Sequence, residues 1–211
     1  MPLRGTLYTY KLVFRKTLGA GEDDSGLLVD LGFGIFRDVE ARQSANFSEN
    51  DIVESRPKDP VRDKRAVSNG AKTPDDHLGR SVSNGAYKFF AGRRSVKDLF
   101  TYRARVEKVV DGDTLKVRLD LGFETWNRQV LRLRAIDCPE MDTSAGEQAK
   151  ALVQSYLKDT EWIIVRSSRS DKYDRYLADV FIPKDEEPEP ATDIYLNNLL
   201  LEKGHARRAK E

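Results

Sequence analysis

Four short motifs follow one another in the second half of the chain: Asp111-Gly112-Asp113-Thr114, a strand-borne Arg132, Asp137-Cys138-Pro139-Glu140, and Asp171-Lys172-Tyr173-Asp174-Arg175. Asp113, Asp137 and Glu140 offer hard carboxylate oxygens, which suit Ca2+ or Mg2+ rather than a soft metal. Two carboxylates one residue apart repel each other. That repulsion becomes useful when a cation lies between them and partners on another strand. Arg132 and Arg175 present planar forks suited to phosphate oxygens. Acids for an ion, arginines for a phosphate and a spare carboxylate together make a phosphodiester-hydrolysing site. Each part has a plainer use. Asp-Gly is a hairpin-turn signal, an arginine in a strand more often joins an ion pair, and Asp171–Arg175 alone reads as a polar loop. Their conjunction, in one order, carries the argument. Cys138 has no partnered histidine nearby, so its thiol reads as incidental.

These groups need elements to hold them. Thr114–Leu121 alternates, with Leu115, Val117, Leu119 and Leu121 on one side and Lys116, Arg118 and Asp120 on the other, as a half-buried strand does. Further strands are expected at Tyr102–Val110, Gln129–Ile136, Trp162–Ser167 and Leu177–Ile182. A helix fits Ser144–Lys158, where Ser144 and Glu147 form a capping box and Ala149, Leu152, Val153 and Tyr156 share a face. A short helix should end near Lys203, with Gly204 past its C-terminus. Five strands with a helix after the third suit a small closed barrel of the OB type, a β-rich α+β fold.

The chain has 211 residues, 34% of them charged, and a net charge of +1. A charge so near zero excludes a global basic field, so binding of nucleic acid has to come from local patches. The lone Cys138 excludes an intramolecular disulfide and a multi-cysteine zinc site. With no signal-peptide pattern and no apolar run of spanning length, the expected location is cytoplasmic, export by another route being left open, with no membrane partner.

The sequence also repeats itself. Leu7–Lys16 resembles Leu99–Lys108, and Leu28–Ala45 resembles Arg118–Ala135, the offset being 92 residues in the first block and 90 in the second. Two matched blocks in one order point to a duplicated unit. The expected organisation is therefore a degenerate copy over 1–50, a polar basic connector over 51–98, and a complete domain over 99–211. The connector carries eleven Lys and Arg against seven Asp and Glu. In the first copy Asp23 falls opposite Asp113 but Gly21 opposite Asp111, and Arg42 falls opposite Arg132. With one gap, Glu49 meets Glu140 and Asn46 meets Asp137. A neutral amide in place of an anion weakens any cation site, so this copy is expected to lack activity.

The motifs VDGDT, RLRAIDCPE, DKYDRYLA and LLLEKGHAR, in that order between Tyr102 and Arg207, closely resemble those of the thermonuclease (micrococcal or staphylococcal nuclease) family. The resemblance implies an OB-type barrel with helices and a Ca2+ ion bound by Asp113, Asp137 and the backbone carbonyl of Cys138, with Glu140 reaching it through water. It implies Glu140 as general base and Arg132 and Arg175 as phosphate clamps and transition-state stabilisers. Asp111 would support the metal ligands with Thr114 beside them, and Lys172 and Tyr173 would meet the substrate's terminal phosphate. The implied reaction is sugar-non-specific hydrolysis of DNA and RNA to 3′-phosphate products. Single strands are the expected substrates, and duplex DNA is a further candidate. Two other classes fit parts of the pattern: a catalytically silent nuclease-like module that binds single-stranded nucleic acid, and an OB-fold single-strand binder. Intact Arg132, Glu140 and Arg175 argue against the first, and the second has no need of the acid cluster.

Overall fold

The computed structural model describes residues 5–19, 26–39, 47–57, 81–84, 87–91, 99–170, 175–184 and 192–209. They divide between two compact units, one of Thr6–Leu99 and one of Phe100–Glu211 together with Met1–Gly5.

The second unit is a five-stranded closed barrel with two helices, the OB-type arrangement. Strands β7 (Thr101–Val109), β8 (Thr114–Asp120) and β9 (Trp126–Leu133) form an antiparallel meander. Strand β11 (Ile163–Ser170) pairs with β7, and β12 (Tyr176–Ile182) runs parallel to β9. Pairing of β11 with β12 closes the ring. Alternation dictates the interior: Leu115, Val117 and Leu119 of β8 and Leu131 of β9 are wholly buried, with Tyr102, Ala104, Ile163, Val165, Ala178 and Val180 around them.

Helix α1 (Ser144–Leu157) buries Ala149, Val153 and Leu157, spaced four apart so that they share a face. Its N-cap is Thr143 rather than the expected Ser144. Thr143 Oγ1 accepts from Gly146 N–H (3.0 Å) and donates to the Glu140 carbonyl (2.7 Å), whereas Ser144 Oγ accepts from Gln148 Nε2. Helix α2 (Leu196–Glu202) is followed by left-handed Gly204, as expected. Buried Asn197 locks this helix down, donating to the Arg134 and Ala178 carbonyls and accepting from Val180 N–H.

The first unit contains β1 (Thr9–Phe14), β2 (Leu27–Asp30), β3 (Phe36–Asp38), β4 (Ile52–Pro57), β5 (Ser81–Asn84) and β6 (Tyr87–Ala91), in sheet order β3-β2-β1-β4-β6-β5. Three of these strands lie in the stretch read as a connector. The pairing matches the second unit residue for residue at the sequence offsets. Lys11 faces Asp30 as Arg103 faces Asp120, and Asp30 faces Phe36 as Asp120 faces Trp126. Backbone detail follows the same rule. Tyr8 and Phe100 both take positive φ, as do Phe33 and Phe123 in the two Asp-Leu-Gly-Phe turns. In each turn the aspartate accepts from the glycine N–H, Asp30 from Gly32 and Asp120 from Gly122.

Among the described residues, no helix is long and apolar enough to cross a membrane.

Candidate active site

Asp111-Gly112-Asp113 is both a turn and an acid pair. Val110 N–H donates to the Thr114 carbonyl (2.9 Å), closing the β7–β8 hairpin, and Asp111 Oδ1 accepts from Asp113 N–H (3.0 Å). Gly112 is required by close packing: a Cβ there would lie 2.8 Å from Ala149 Cβ of α1 and 2.8 Å from Cys138 Sγ. The turn is thus pressed against the Asp137–Glu140 segment and the helix that follows it.

Opposite this turn, β9 stops at Leu133, and the chain reverses through Ala135, whose φ is +61°. A left-handed alanine costs on the order of 1 kcal/mol. The sharp reversal brings the short strand β10 (Ile136–Asp137) back beside Arg132. The guanidinium of Arg132 then spans both acids: Nη1 donates to Asp113 Oδ1 (2.6 Å) and Nη2 to Asp137 Oδ1 (2.7 Å). Asp113 is only 3% exposed. Its second oxygen accepts from Cys138 N–H (2.8 Å), and Thr114 Oγ1 donates to its first (3.2 Å). Burial raises the Asp113 carboxyl above the usual range, against the pull of the Cys138 N–H and of Arg132.

Asp137 has a second arginine. A two-residue strand (Arg207–Arg208) pairs with β10, and Arg207 Nε and Nη2 both donate to Asp137 Oδ2, at 3.0 and 2.7 Å. Those bonds hold the Asp137 carboxyl below its ordinary range. Arg207 closes the LLLEKGHAR motif in the sequence, but nothing in that motif assigns it a contact with Asp137. The Cys138 thiol is pushed up to about 12, chiefly by burial and then by the charge of Asp113, so at neutral pH it is a thiol.

Glu140 lies exposed just before α1. A cleft of about 400 Å³ beside it is lined by Asp137, Cys138, Pro139, Glu140 and residues 204–207. Its backbone is fixed from the helix side, because the Glu140 carbonyl accepts from both the N–H and the hydroxyl of Thr143. Gly146 makes this approach possible: a Cβ there would stand 2.1 Å from the Glu140 carbonyl oxygen. Arg175 immediately precedes β12, two residues before Leu177, the register partner of Arg132. The fold therefore brings Asp111, Asp113, Thr114, Arg132, Asp137, Cys138 and Glu140 to one end of the barrel, with Arg175 just ahead of the neighbouring strand β12. Lys172 and Tyr173 lie outside the described residues, as do Gly21, Asp23, Arg42 and Asn46 of the first copy. Glu49 has a local task, accepting from Thr17 Oγ1 and Phe14 N–H.

The donor set suits a hard divalent cation in kind. Two carboxylates face the same guanidinium, the Cys138 backbone lies between them and Glu140, and no thiolate competes. Among the described residues, no three His, Cys, Asp or Glu groups are gathered into a cation site as arranged, and Arg132 bonds one oxygen of each aspartate.

Residues 130–211 match the family described as staphylococcal nuclease homologue. The barrel is thus nuclease-like. The matched segment contains Arg132, Asp137, Glu140, Arg175 and Arg207, and the fold adds Asp113 to it from the preceding hairpin. An uncharacterized protein of Methanocaldococcus jannaschii is 33% identical over 131 residues, which are 50% of this chain and 58% of that protein. An uncharacterized protein of Bacillus anthracis is 26% identical over 159 residues, 66% of this chain and 68% of its own length. The chain therefore spans little more than half of the first relative's length.

Proposed function

We propose that the second unit is a Ca2+-dependent, sugar-non-specific nuclease that hydrolyses phosphodiester bonds of DNA and RNA to 3′-phosphate products. The observation that carries this reading is the Arg132 guanidinium held between Asp113 and Asp137. Here two acids are drawn together from the β7–β8 turn and from β10, one of them buried, and burying charge carries a desolvation cost.

In this reading Asp113, Asp137 and the Cys138 carbonyl would hold the ion, with Glu140 reaching it through water. When bound, Ca2+ would supply positive charge beside the phosphate and the attacking water. Arg132, released from the aspartates, turns its fork to the phosphate oxygens, and Arg175 approaches from β12 to take up charge that develops in the transition state. Glu140 takes a proton from water as the water oxygen bonds to phosphorus. The P–O5′ bond breaks, the 5′ oxygen leaves and takes a proton from solvent water, and the phosphate stays on the 3′ side. Asp111 holds the turn that aims Asp113, and Thr114 steadies its inner oxygen. Lys172 and Tyr173 are proposed to meet the terminal phosphate. The first unit is proposed to be a duplicated, degenerate copy without activity, retaining strand register while its ligand positions have changed.

One observation favours a second reading. With both aspartates already neutralised by Arg132 and Arg207, the site is electrostatically satisfied with no ion, as a silent single-strand-binding module would be. Digestion of single-stranded DNA in Ca2+ and in chelator separates the two. Hydrolysis that stops in chelator supports the nuclease, and binding without hydrolysis supports the silent module.

A further inference from the structure

The outer face of the meander carries a row of like charges that strand register puts side by side. Arg105 of β7 faces Arg118 of β8, and Arg118 faces Arg128 of β9. One step nearer the active site, Lys108 faces Lys116. Like charges directly opposite are destabilising. The fold does not demand them, since the equivalent positions in the first unit are Val13, Leu28 and Asp38. Two tryptophans lie on the row. Arg118 stacks on Trp126 (4.6 Å to the ring centre), Arg105 stacks on Trp162 (4.3 Å), and the two indoles are 6.0 Å apart. Trp126 nevertheless remains 41% exposed. The ion pairs at this face, Arg105–Glu161 and Arg128–Glu107, are solvent-exposed and so readily exchanged. Among the described residues, Lys116 and Arg118 have no carboxylate partner.

The row is continuous with the candidate active site. Along β8, Thr114, Lys116 and Arg118 point to the same side, and their partners on β9 are Arg132, Val130 and Arg128, with Trp126 following. From Arg132 to Trp126 is six residues, about 20 Å at strand rise. A polyanion with flat apolar faces satisfies both halves of this surface: its phosphates take the cations, and its bases take the indoles. An acidic peptide satisfies only the first half.

We propose that the outer face of β7–β9 is a track for single-stranded nucleic acid leading away from the Arg132 site, with Lys116, Arg118 and Arg128 on its phosphates and Trp126 under its bases. The proposal rests on the nuclease reading for the identity of the strand but can be tested without hydrolysis.

Trp126 and Trp162 are the two tryptophans of the chain, so intrinsic emission reports on this face. The full-length chain carrying Glu140→Gln, which keeps the probe intact, is titrated with a 20-nucleotide oligothymidylate. Saturable quenching is expected. Combined Lys116→Ala, Arg118→Ala and Arg128→Ala should weaken it at least tenfold and lower the slope of log affinity against log salt by about 2, at roughly 0.7 per lost phosphate contact. Arg118→Gln alone should act in the same direction, and the melting temperature checks folding. In the active chain the triple substitution should reduce kcat/KM for the 20-mer about tenfold while leaving a dinucleotide unaffected. No quenching, or quenching unchanged by the triple substitution, overturns the track. So does tighter binding of polyglutamate than of oligothymidylate, which would assign the face to an acidic protein. Quenching that responds to the triple substitution, without cleavage by the active chain, supports the track and sinks the hydrolytic reading.

Discussion

Replacing Gly146 with alanine adds one methyl group, and the expected damage is catalytic before it is structural. The new Cβ would sit 2.1 Å from the Glu140 carbonyl oxygen, 2.6 Å from its carbonyl carbon and 2.8 Å from the Pro139 oxygen. All three are backbone atoms, so no side chain can swing aside. Cβ contacts essentially never fall under 3.0 Å, so the Pro139–Glu140 segment must retreat by about 1 Å. A displacement of that size at a reacting group costs roughly 100-fold in rate, or about 2.7 kcal/mol in the barrier. Against this, alanine is the better helix former by about 1 kcal/mol, which offsets overpacking worth about 1–3 kcal/mol. The melting temperature should therefore fall by only a few degrees while kcat/KM for single-stranded DNA drops about 100-fold. Wild-type kcat/KM with an unchanged or raised melting temperature would refute the idea that α1 positions Glu140.

Three further outcomes follow from the same geometry. Arg207→Ala removes a cation bonded to Asp137 at an 83% exposed side chain. Stability should change by less than about 1 kcal/mol, while the Ca2+ concentration for half-maximal activity falls several-fold; an unchanged or raised requirement would show that Arg207 does not compete at Asp137. Arg175→Lys keeps the charge but loses the fork, so kcat should fall by about 100-fold or more with the melting curve unmoved, and a wild-type rate would remove Arg175 from the site. Cys138→Ala keeps the backbone carbonyl and Asp113's N–H donor, so cleavage should stay within about twofold of wild type; loss of activity with folding intact would give the thiol a role denied to it here.

Much of this was legible in the chain because the signals are local. The alternation of Thr114–Asp120 announced β8, and apolar spacing announced α1. The acids and arginines could be assembled into one candidate site from residue type and order. What stayed hidden depends on geometry that no local pattern records. Arg132 meets Asp137 through a left-handed reversal at Ala135, a residue with no preference for that conformation. Arg207 meets Asp137 through pairing of two-residue strands 70 positions apart. The cap moved from Ser144 to Thr143 because the threonine hydroxyl also reaches the Glu140 carbonyl. Strands β4–β6 were read as connector because turn-forming residues dominate that stretch. Their pairing through β4 to β1 is tertiary. The arginine row on β7–β9 likewise exists only once register is known.

The central claim is that one end of this barrel hydrolyses phosphodiester bonds with Asp113, Asp137 and Glu140 around a cation and two arginines on the phosphate. The most direct measurement is incubation of single-stranded DNA with the full chain in Ca2+, in chelator, and with Glu140→Gln in Ca2+, with the ends of the products determined. The account predicts fragments with 3′-phosphates in the first reaction, none in the second, and a rate reduced by orders of magnitude in the third. Equal cleavage in chelator, or wild-type cleavage by Glu140→Gln, would contradict it.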